Sequence, residues 1–474
     1  MLNPFLHLES AAAIDPLGVF LETIDQQISY RDGLTQVKKI AAELRRMGMK
    51  PGDRVALDLP ESLGILFSEA VFHEAGVGLI LPRGLAEEEE FPVDWVFSSH
   101  EGPSHRTARV HHVDSAFLRR VDKNHTDLDA RSYESAQSLC RVLFSSGTTG
   151  RPRAVGFSVE MVEFRSESAH STWMQGEPFM SLFDSSTSSG FLAQRARVKR
   201  RLPLLVPGTP HEIVQMLVSK AVVWVMASPA QIGTLIEQVE AEGAALDSLQ
   251  TIAVAGGILP PRLADRVLAR MGSELVNIYG STEAGMVAGR YGGFPDPFDA
   301  GHLTSGSEVQ VVDGEDNELP SGQTGRIRYR RHLMAAGYLN DHPAASTSFQ
   351  QGWFYPGDIG AVTHDGRLTV QGRDTDLLNA GGIKVDAIRL DLFALAQSGI
   401  VDACAFAAHD GSGLDQIGLA IVCDDAFDVA TFTALVREQF GPSAPNVIAR
   451  VTAVPRNRVG KPMRSLLAEQ FSDD

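Results

Sequence analysis
Between residues 34 and 279, short apolar runs alternate with stretches of helical periodicity, and that exchange leaves very few architectures open to the chain. Leu34, Val37, Ile40, Leu44 and Met47 fall at helical spacing in a segment that Asp32 opens and Gly48 closes. Pro51-Gly52 then turns the chain into an apolar run at 54–59, and a second helical stretch leads to another at 76–81. The pattern returns at 221–227, 251–255 and 275–279, with a helical stretch after each of the first two. Uniformly apolar strands joined through helices predict parallel sheets covered on both faces, an α/β fold.

After Gly301 the texture changes. Val309 to Val312, the turns Asp313-Gly314 and Pro320-Ser-Gly322, and Gly325 to Arg330 read as antiparallel hairpins, so a small β-barrel-like subdomain is expected over 301–371. From Gly372 a shorter α+β unit follows, with strands near 368–371, 403–407 and 419–423 and helices near Leu390 and Thr431. The expected division is a large N-terminal domain, 1–371, and a small mobile C-terminal domain, 372–474.

Bulk properties exclude several function classes. The 474 residues allow more than one core. A net charge of −17 without a long basic tract argues against a nucleic-acid or anionic-membrane partner, while leaving small anions open. The first eighteen residues lack a signal-peptide pattern, and the longest apolar runs are too short to span a bilayer, so a cytoplasmic protein is expected. Cys140, Cys404 and Cys423 are too few and too scattered for a disulfide framework or a cysteine zinc site. Five histidines between His100 and His125 and the Glu87–Glu90 run read as surface.

The chemistry concentrates at Val142-Leu-Phe-Ser-Ser-Gly-Thr-Thr-Gly-Arg-Pro-Arg-Ala-Val155, a strand entering a loop of glycines and hydroxyls. Gly147 and Gly150 let backbone N–H groups converge on phosphate oxygens, Ser145, Ser146, Thr148 and Thr149 add hydroxyl donors, and Arg153 adds charge. The Gly-Lys-Ser/Thr ending of a Walker loop is absent. Taken alone, a glycine-rich surface turn competes equally with a phosphate site.

Four further segments follow in order: Asn277-Ile-Tyr-Gly-Ser-Thr-Glu-Ala-Gly285, Gly352-Trp-Phe-Tyr-Pro-Gly-Asp358, Gly372-Arg-Asp-Thr-Asp376 with Ala380-Gly-Gly382, and Pro455-Arg-Asn-Arg-Val-Gly-Lys461. Together with the loop they resemble the markers of the adenylate-forming (AMP-binding) superfamily: acyl- and aryl-CoA synthetases, peptide-synthetase adenylation domains and luciferase. The resemblance implies ATP-dependent, magnesium-assisted activation of a carboxylic acid to an acyl-adenylate. Transfer to a thiol follows, with CoA or a carrier protein's phosphopantetheine as acceptor.

By the same resemblance, Thr282 contacts the α-phosphate and Glu283 holds magnesium. Tyr279 offers a face to adenine beside Gly256 and Gly257, Gly280 borders the acid, Asp358 accepts both ribose hydroxyls and Arg373 adds a second ribose contact. Lys461 bridges carboxylate and phosphate as charge develops. The small domain would then rotate about residue 375 and present Ala380-Gly381-Gly382 to the pantetheine.

The pattern departs from the family at Arg153, where Lys is usual, and at Thr375, Asn379, Ala387, Arg389 and Asp415-Gln416. Most departures fall in the small domain and bear on thiol transfer more than on adenylation. Phe183-Asp-Ser-Ser-Thr187 resembles the stretch with which adenylation domains place an aspartate near a substrate amine. Two readings stand for Asp184: an amine partner, or a helix cap. The small polar residues around it suit a compact amino or aromatic acid. An acid–thiol ligase leads, ahead of a standalone adenylation enzyme serving a carrier protein or a nitrogen nucleophile, and of a catalytically silent nucleotide-binding relative.

Overall fold
The computed structural model describes residues 3–80, 91–100, 108–145, 152–174, 176–292, 296–340, 345–380, 383–409, 415–457 and 460–471. The helix read from the Leu34 periodicity spans Tyr30–Arg46. It begins two residues ahead of Asp32 because Ser29 is the cap: its side chain accepts from the Asp32 N–H, placing the aspartate in the first turn. At the other end Gly48, at φ +94°, reverses the chain while the Met49 N–H returns to the Leu44 carbonyl.

Two large sheets carry the molecule. In the first, strands Arg109–His112, Trp95–Ser98, Arg54–Asp58, Val77–Leu79 and Leu139–Ser145 run parallel, and Arg153–Ser158 closes the edge antiparallel to Leu139–Ser145. In the second, Phe179–Ser181, Trp224–Ala227, Thr251–Ala255 and Glu274–Ser281 are parallel, as the uniformly buried runs require. There the direction changes. Gly285–Tyr291 pairs antiparallel, and Asp299–Leu303, Arg367–Arg373, Asp358–Val362 and Gly325–Arg331 extend the same sheet. The hairpin strands are therefore continuous with the parallel strands in one sheet.

That sheet cannot be flat. Strands Glu274–Ser281 and Asp358–Val362 stand four ladder steps apart in the pairing order, about 19 Å at ~4.8 Å per step. Yet the Tyr279 hydroxyl lies 2.5 Å from the Asp358 carboxylate. The antiparallel half curls on itself around a core of Val287, Ile327, Tyr329, Phe354 and Leu368, a barrel-like form that begins before residue 301.

Strand Arg367–Arg373 continues through Gly372 and Arg373, which pair with Ile359 and Asp358. Beyond the short turn Asp374–Asp376, strands Ile400–His409, Asp415–Cys423 and Val447–Arg450 form a three-stranded sheet. Helices Ala387–Leu395 and Val429–Phe440 flank it, and the apolar core beneath is drawn wholly from residue 378 onward.

No described helix is long and apolar enough to cross a membrane. Among the described residues no His, Cys, Asp and Glu cluster could hold a metal ion. His111 stacks on the rings of Trp95 and Phe97, with centroids 5.7 and 5.4 Å away, so it belongs to an aromatic face.

Candidate functional site
The antiparallel pairing of Leu139–Ser145 with Arg153–Ser158 sets Ser145 opposite Arg153, at the two ends of the hydroxyl-rich loop. Ser146, Gly147, Thr148, Thr149 and Gly150 lie outside the described residues. From the described flanks a polar chain leads to Glu283. Ser145 Oγ donates to Glu283 Oε1 at 2.9 Å, and the Tyr338 hydroxyl donates to the same oxygen at 3.0 Å. Arg153 Nη1 in turn donates to that hydroxyl at 3.2 Å, with its guanidinium 5.6 Å above the Tyr338 ring. The arginine standing where the family has lysine thus directs part of its fork at a tyrosine. Asn340 fixes the strand beneath by accepting from the Ala154 N–H at 3.0 Å and donating to the Pro152 carbonyl at 3.1 Å.

Thr282 and Glu283 sit in the tight turn between Glu274–Ser281 and Gly285–Tyr291 rather than in a strand-to-helix loop. Gly280 is required there by close approach: a Cβ would lie 2.2 Å from the Gly285 carbonyl oxygen. The turn is gripped from below by Arg165 of helix Val159–Trp173, which is 5% exposed. Its Nη1 donates to Thr282 O at 2.8 Å, Nη2 to Glu283 O at 2.6 Å and to Leu333 O at 3.0 Å, and Nε to Leu333 O at 3.2 Å. Burial, and Arg331 next to it, push the Arg165 guanidinium below its usual range. The Thr282 hydroxyl donates to Ser188 Oγ at 3.5 Å, the far limit for such a bond.

At the far side of the curl, Asp358 engages each oxygen separately. Oδ2 accepts from Tyr279 at 2.5 Å and Oδ1 faces Arg373 Nε at 3.1 Å. Burial and then the Asp358 charge raise the Tyr279 hydroxyl well above its usual range, so it acts as a donor. Burial opposes the Arg373 charge, yet Asp358 and Asp376 hold its pKa above the ordinary value. The Tyr279 ring meets Tyr329 edge-on at 6.4 Å. After strand Thr251–Ala255, Gly256 turns at φ +84° and Gly257 faces Pro229, to which a Cβ would come within 3.5 Å.

Lys461 comes from the far end of the chain to this same place. Its loop closes on itself: the Asn457 N–H reaches Lys461 O at 2.9 Å and the Lys461 N–H reaches Asn457 Oδ1 at 3.0 Å. Burial first and Arg373 second push the ammonium down to about 8, while Asp358, Asp376 and Glu283 pull the other way. The lysine therefore lies within electrostatic reach of both the Asp358 and the Glu283 ends of the site.

Asp184 precedes helix Ser188–Arg200, but the cap of that helix is Thr187, which accepts from the Gly190 N–H. Asp184 Oδ1 instead accepts from the Ser186 N–H at 3.0 Å and from the Ser186 hydroxyl, closing its own turn. Glu61 braces that turn by accepting from the Ser185 N–H at 2.8 Å, the Ser185 hydroxyl at 3.0 Å and Gln194 at 2.7 Å. Burial, and then Asp184, raise the Glu61 pKa. Arg141 completes the cluster: fully buried, it donates to Ser185 O at 2.5 Å, and burial pulls it down to about 10.

These residues fit a magnesium nucleotide. Glu283 is 3% exposed and forms no close ion pair among the described residues, although Lys461 and Arg165 interact with its charge, and a buried carboxylate of this kind suits a magnesium ion. Asp358 keeps lone pairs for further donors beyond Tyr279 and Arg373. Sequence reasoning missed Arg165, Tyr338, Glu61 and Arg141. None sits in a recognisable motif, and their partners lie far away in the chain. Ala380 belongs to strand Leu377–Ala380, whereas Gly381 and Gly382 lie outside the described residues. Thr375 lies in the turn Asp374–Asp376.

A family model described as "AMP-binding enzyme" matches residues 69–339. The chain is 26% identical to the 2-hydroxy-7-methoxy-5-methyl-1-naphthoate–CoA ligase of Streptomyces carzinostaticus, over 88% of this chain and 83% of that protein. It is 26% identical to the pyochelin synthase PchD of Pseudomonas aeruginosa, over 98% and 91%. In fold it matches ATP-bound MatB from Rhodopseudomonas palustris with a TM-score of 0.85 at 20% identity, covering 99% of each chain.

Proposed function
This chain belongs to the AMP-binding enzyme family, and on that premise we propose that it couples ATP cleavage to activation of a compact amino or aromatic acid. The reaction is that of an AMP-forming acid–thiol ligase. A substrate carboxylate oxygen attacks the α-phosphorus of ATP, the bond to the β-phosphate oxygen breaks, and pyrophosphate leaves. A thiol then attacks the acyl carbon and AMP departs with the bonding pair. ATP, magnesium, and CoA or a phosphopantetheine thiol are the required partners.

The observation that carries the residue roles is the convergence on Lys461. A cation from the end of the chain acts on the same carboxylates that flank the loop after Ser145 and the Tyr279 hydroxyl. In this reading Lys461 neutralises charge developing between carboxylate and phosphate. Asp358 and Arg373 take the ribose, Tyr279 borders the base with Gly256 and Gly257, and Thr282 meets the α-phosphate. Ser145 to Gly150, with Arg153, cradle the β- and γ-phosphates. Magnesium, when bound at Glu283, supplies Lewis-acid charge to the phosphate oxygens.

Gly280 borders the acid. Asp184, beside the polar turn held by Glu61, suits a substrate amine or ring substituent that donates a hydrogen bond. Residues 1–371 act as the body that holds ATP and acid, and 372–474 as the mobile part that brings and withdraws Lys461. A cytoplasmic setting, where ATP and CoA are available, completes the reading. One of the named relatives is a CoA ligase, which supports CoA as a thiol acceptor.

The test is ATP–pyrophosphate exchange across amino, aryl and fatty acids, followed by addition of CoA. Exchange with small aryl or amino acids and none with long fatty acids is expected, and preference for long fatty acids removes the substrate reading. Lys461→Ala should abolish exchange; unchanged exchange in that variant overturns its role.

A further inference from the structure
The loop that carries Lys461 comes very close to helix Pro229–Glu242 at Gly460. Gly460 turns at φ +81°, and a Cβ built on it would stand 2.2 Å from Cβ of Ala230. No side chain fits between these two residues. Ala230 lies in the first turn of helix Pro229–Glu242, and that turn is unusually well secured. Ser228 and Gln231 form a capping box, with the Ser228 N–H to Gln231 Oε1 at 2.9 Å and the Gln231 N–H to Ser228 Oγ at 3.3 Å, and Pro229 fixes the first helical position.

The same turn touches two other parts of the site. Pro229 backs Gly257, and Gln231 Nε2 donates at 2.6 Å to the Leu182 carbonyl, two residues before Asp184. The lysine loop is equally firm among its described residues. Arg456 donates to Gly460 O at 2.6 Å and pairs with Asp402 of strand Ile400–His409. A rigid loop thus rests on a rigid helix start that also braces the glycine turn and the Asp184 segment.

We propose that the first turn of helix Pro229–Glu242 is the seat on which the lysine loop docks for adenylation, with Ala230 as a positioning residue whose small size sets how closely Lys461 approaches the reacting groups. The proposal rests on the reading of Lys461 as the cation of the first half-reaction. A seat used only in that half-reaction predicts a split: enlarging Ala230 harms acyl-adenylate formation and spares thioester formation from a supplied acyl-adenylate.

The experiment uses the full chain and the acid with the highest wild-type exchange. That acid is given first with ATP and labelled pyrophosphate, then as its synthetic acyl-adenylate with pantetheine. Ala230→Leu is expected to lower exchange at least about tenfold, near 1.4 kcal/mol of barrier, and to leave pantetheine acylation within about twofold of wild type. Wild-type exchange in Ala230→Leu, or an equal fall in both half-reactions, overturns the seat. A second pair of variants does not depend on that protein folding well. Gly460→Ala should lose exchange, and Ala230→Gly added to it should recover part by removing the opposing Cβ; no recovery overturns the proposal. Lys461→Ala separates the two readings: exchange retained there rejects the lysine's role, whereas exchange lost there but intact in Ala230→Leu rejects only the seat.

Discussion

Replacing Arg165 by Met removes the grip under the turn that holds Thr282 and Glu283. Four hydrogen bonds disappear, from three guanidinium nitrogens to three carbonyl oxygens. Glu283 O retains a donor, the Ala335 N–H at 2.8 Å, so the carbonyls of Thr282 and Leu333 bear the loss. Each buried carbonyl left without a donor costs about 1–3 kcal/mol. Relief of the buried charge, which Arg331 already disfavours, and the apolar packing of Met on Phe157 offset part of that. The net destabilisation should be about 2–4 kcal/mol.

Urea unfolding followed by tryptophan fluorescence measures the stability, and initial rates of pyrophosphate exchange measure the consequence at the site. The kcat/KM for ATP should fall at least about tenfold, because the carboxylate of Glu283 loses its fixed height relative to Ser145. Arg165→Lys should fall between, since one ammonium cannot serve three carbonyls spread along a planar fork. Stability within about 0.5 kcal/mol of wild type, together with unchanged exchange in the Met variant, would refute the reasoning.

In the proposed role Lys461 acts as a cation, and its pKa is pushed down to about 8. The cation is present below that pH and lost above it, so kcat/KM for ATP should decline above pH 8, and Lys461→Arg should abolish the decline in a pH–rate profile. Gly280→Ala places a methyl 2.2 Å from a backbone oxygen that cannot swing aside; a loss of about 1–3 kcal/mol and of most exchange is expected in melting and exchange assays. Asp358→Asn leaves Arg373 without this anionic partner and, in the proposed ribose role, should weaken nucleotide binding. Titration calorimetry with ATP should show affinity at least about tenfold poorer, and undiminished affinity would reject the assignment.

The sequence resolved the parallel strands and the order of motifs well, because uniformly apolar runs and glycine turns leave a strong local trace. Ser29 replaced Asp32 as the cap because both residue types suit that position and stand only three residues apart, so backbone geometry alone tells the cap from the first turn. Asp184 likewise turned out to cap its own turn, with Thr187 taking the helix. What one dimension could not supply was the meeting of residues far apart in the chain. Tyr279 and Asp358 are 79 positions apart, and Arg165 serves carbonyls more than a hundred residues away. A buried arginine whose partners are backbone atoms leaves no mark on those partners' identities, so no pattern of residue types announces it.

The curl of the antiparallel strands makes the sheet a ring with one unlaced seam. At the point where Tyr279 and Asp358 meet, the strands share no ladder, and side chains alone draw the lips together. In the proposed ribose role, a nucleotide bound to Asp358 would add a further link across that seam. The two-residue strands Phe349–Gln350 and Trp353–Phe354 stand at the margin of this sheet, Phe354 buried in its core. Because that seam rests on the Tyr279–Asp358 contact rather than on a ladder, Tyr279→Phe is expected to loosen it, read as a lower melting temperature.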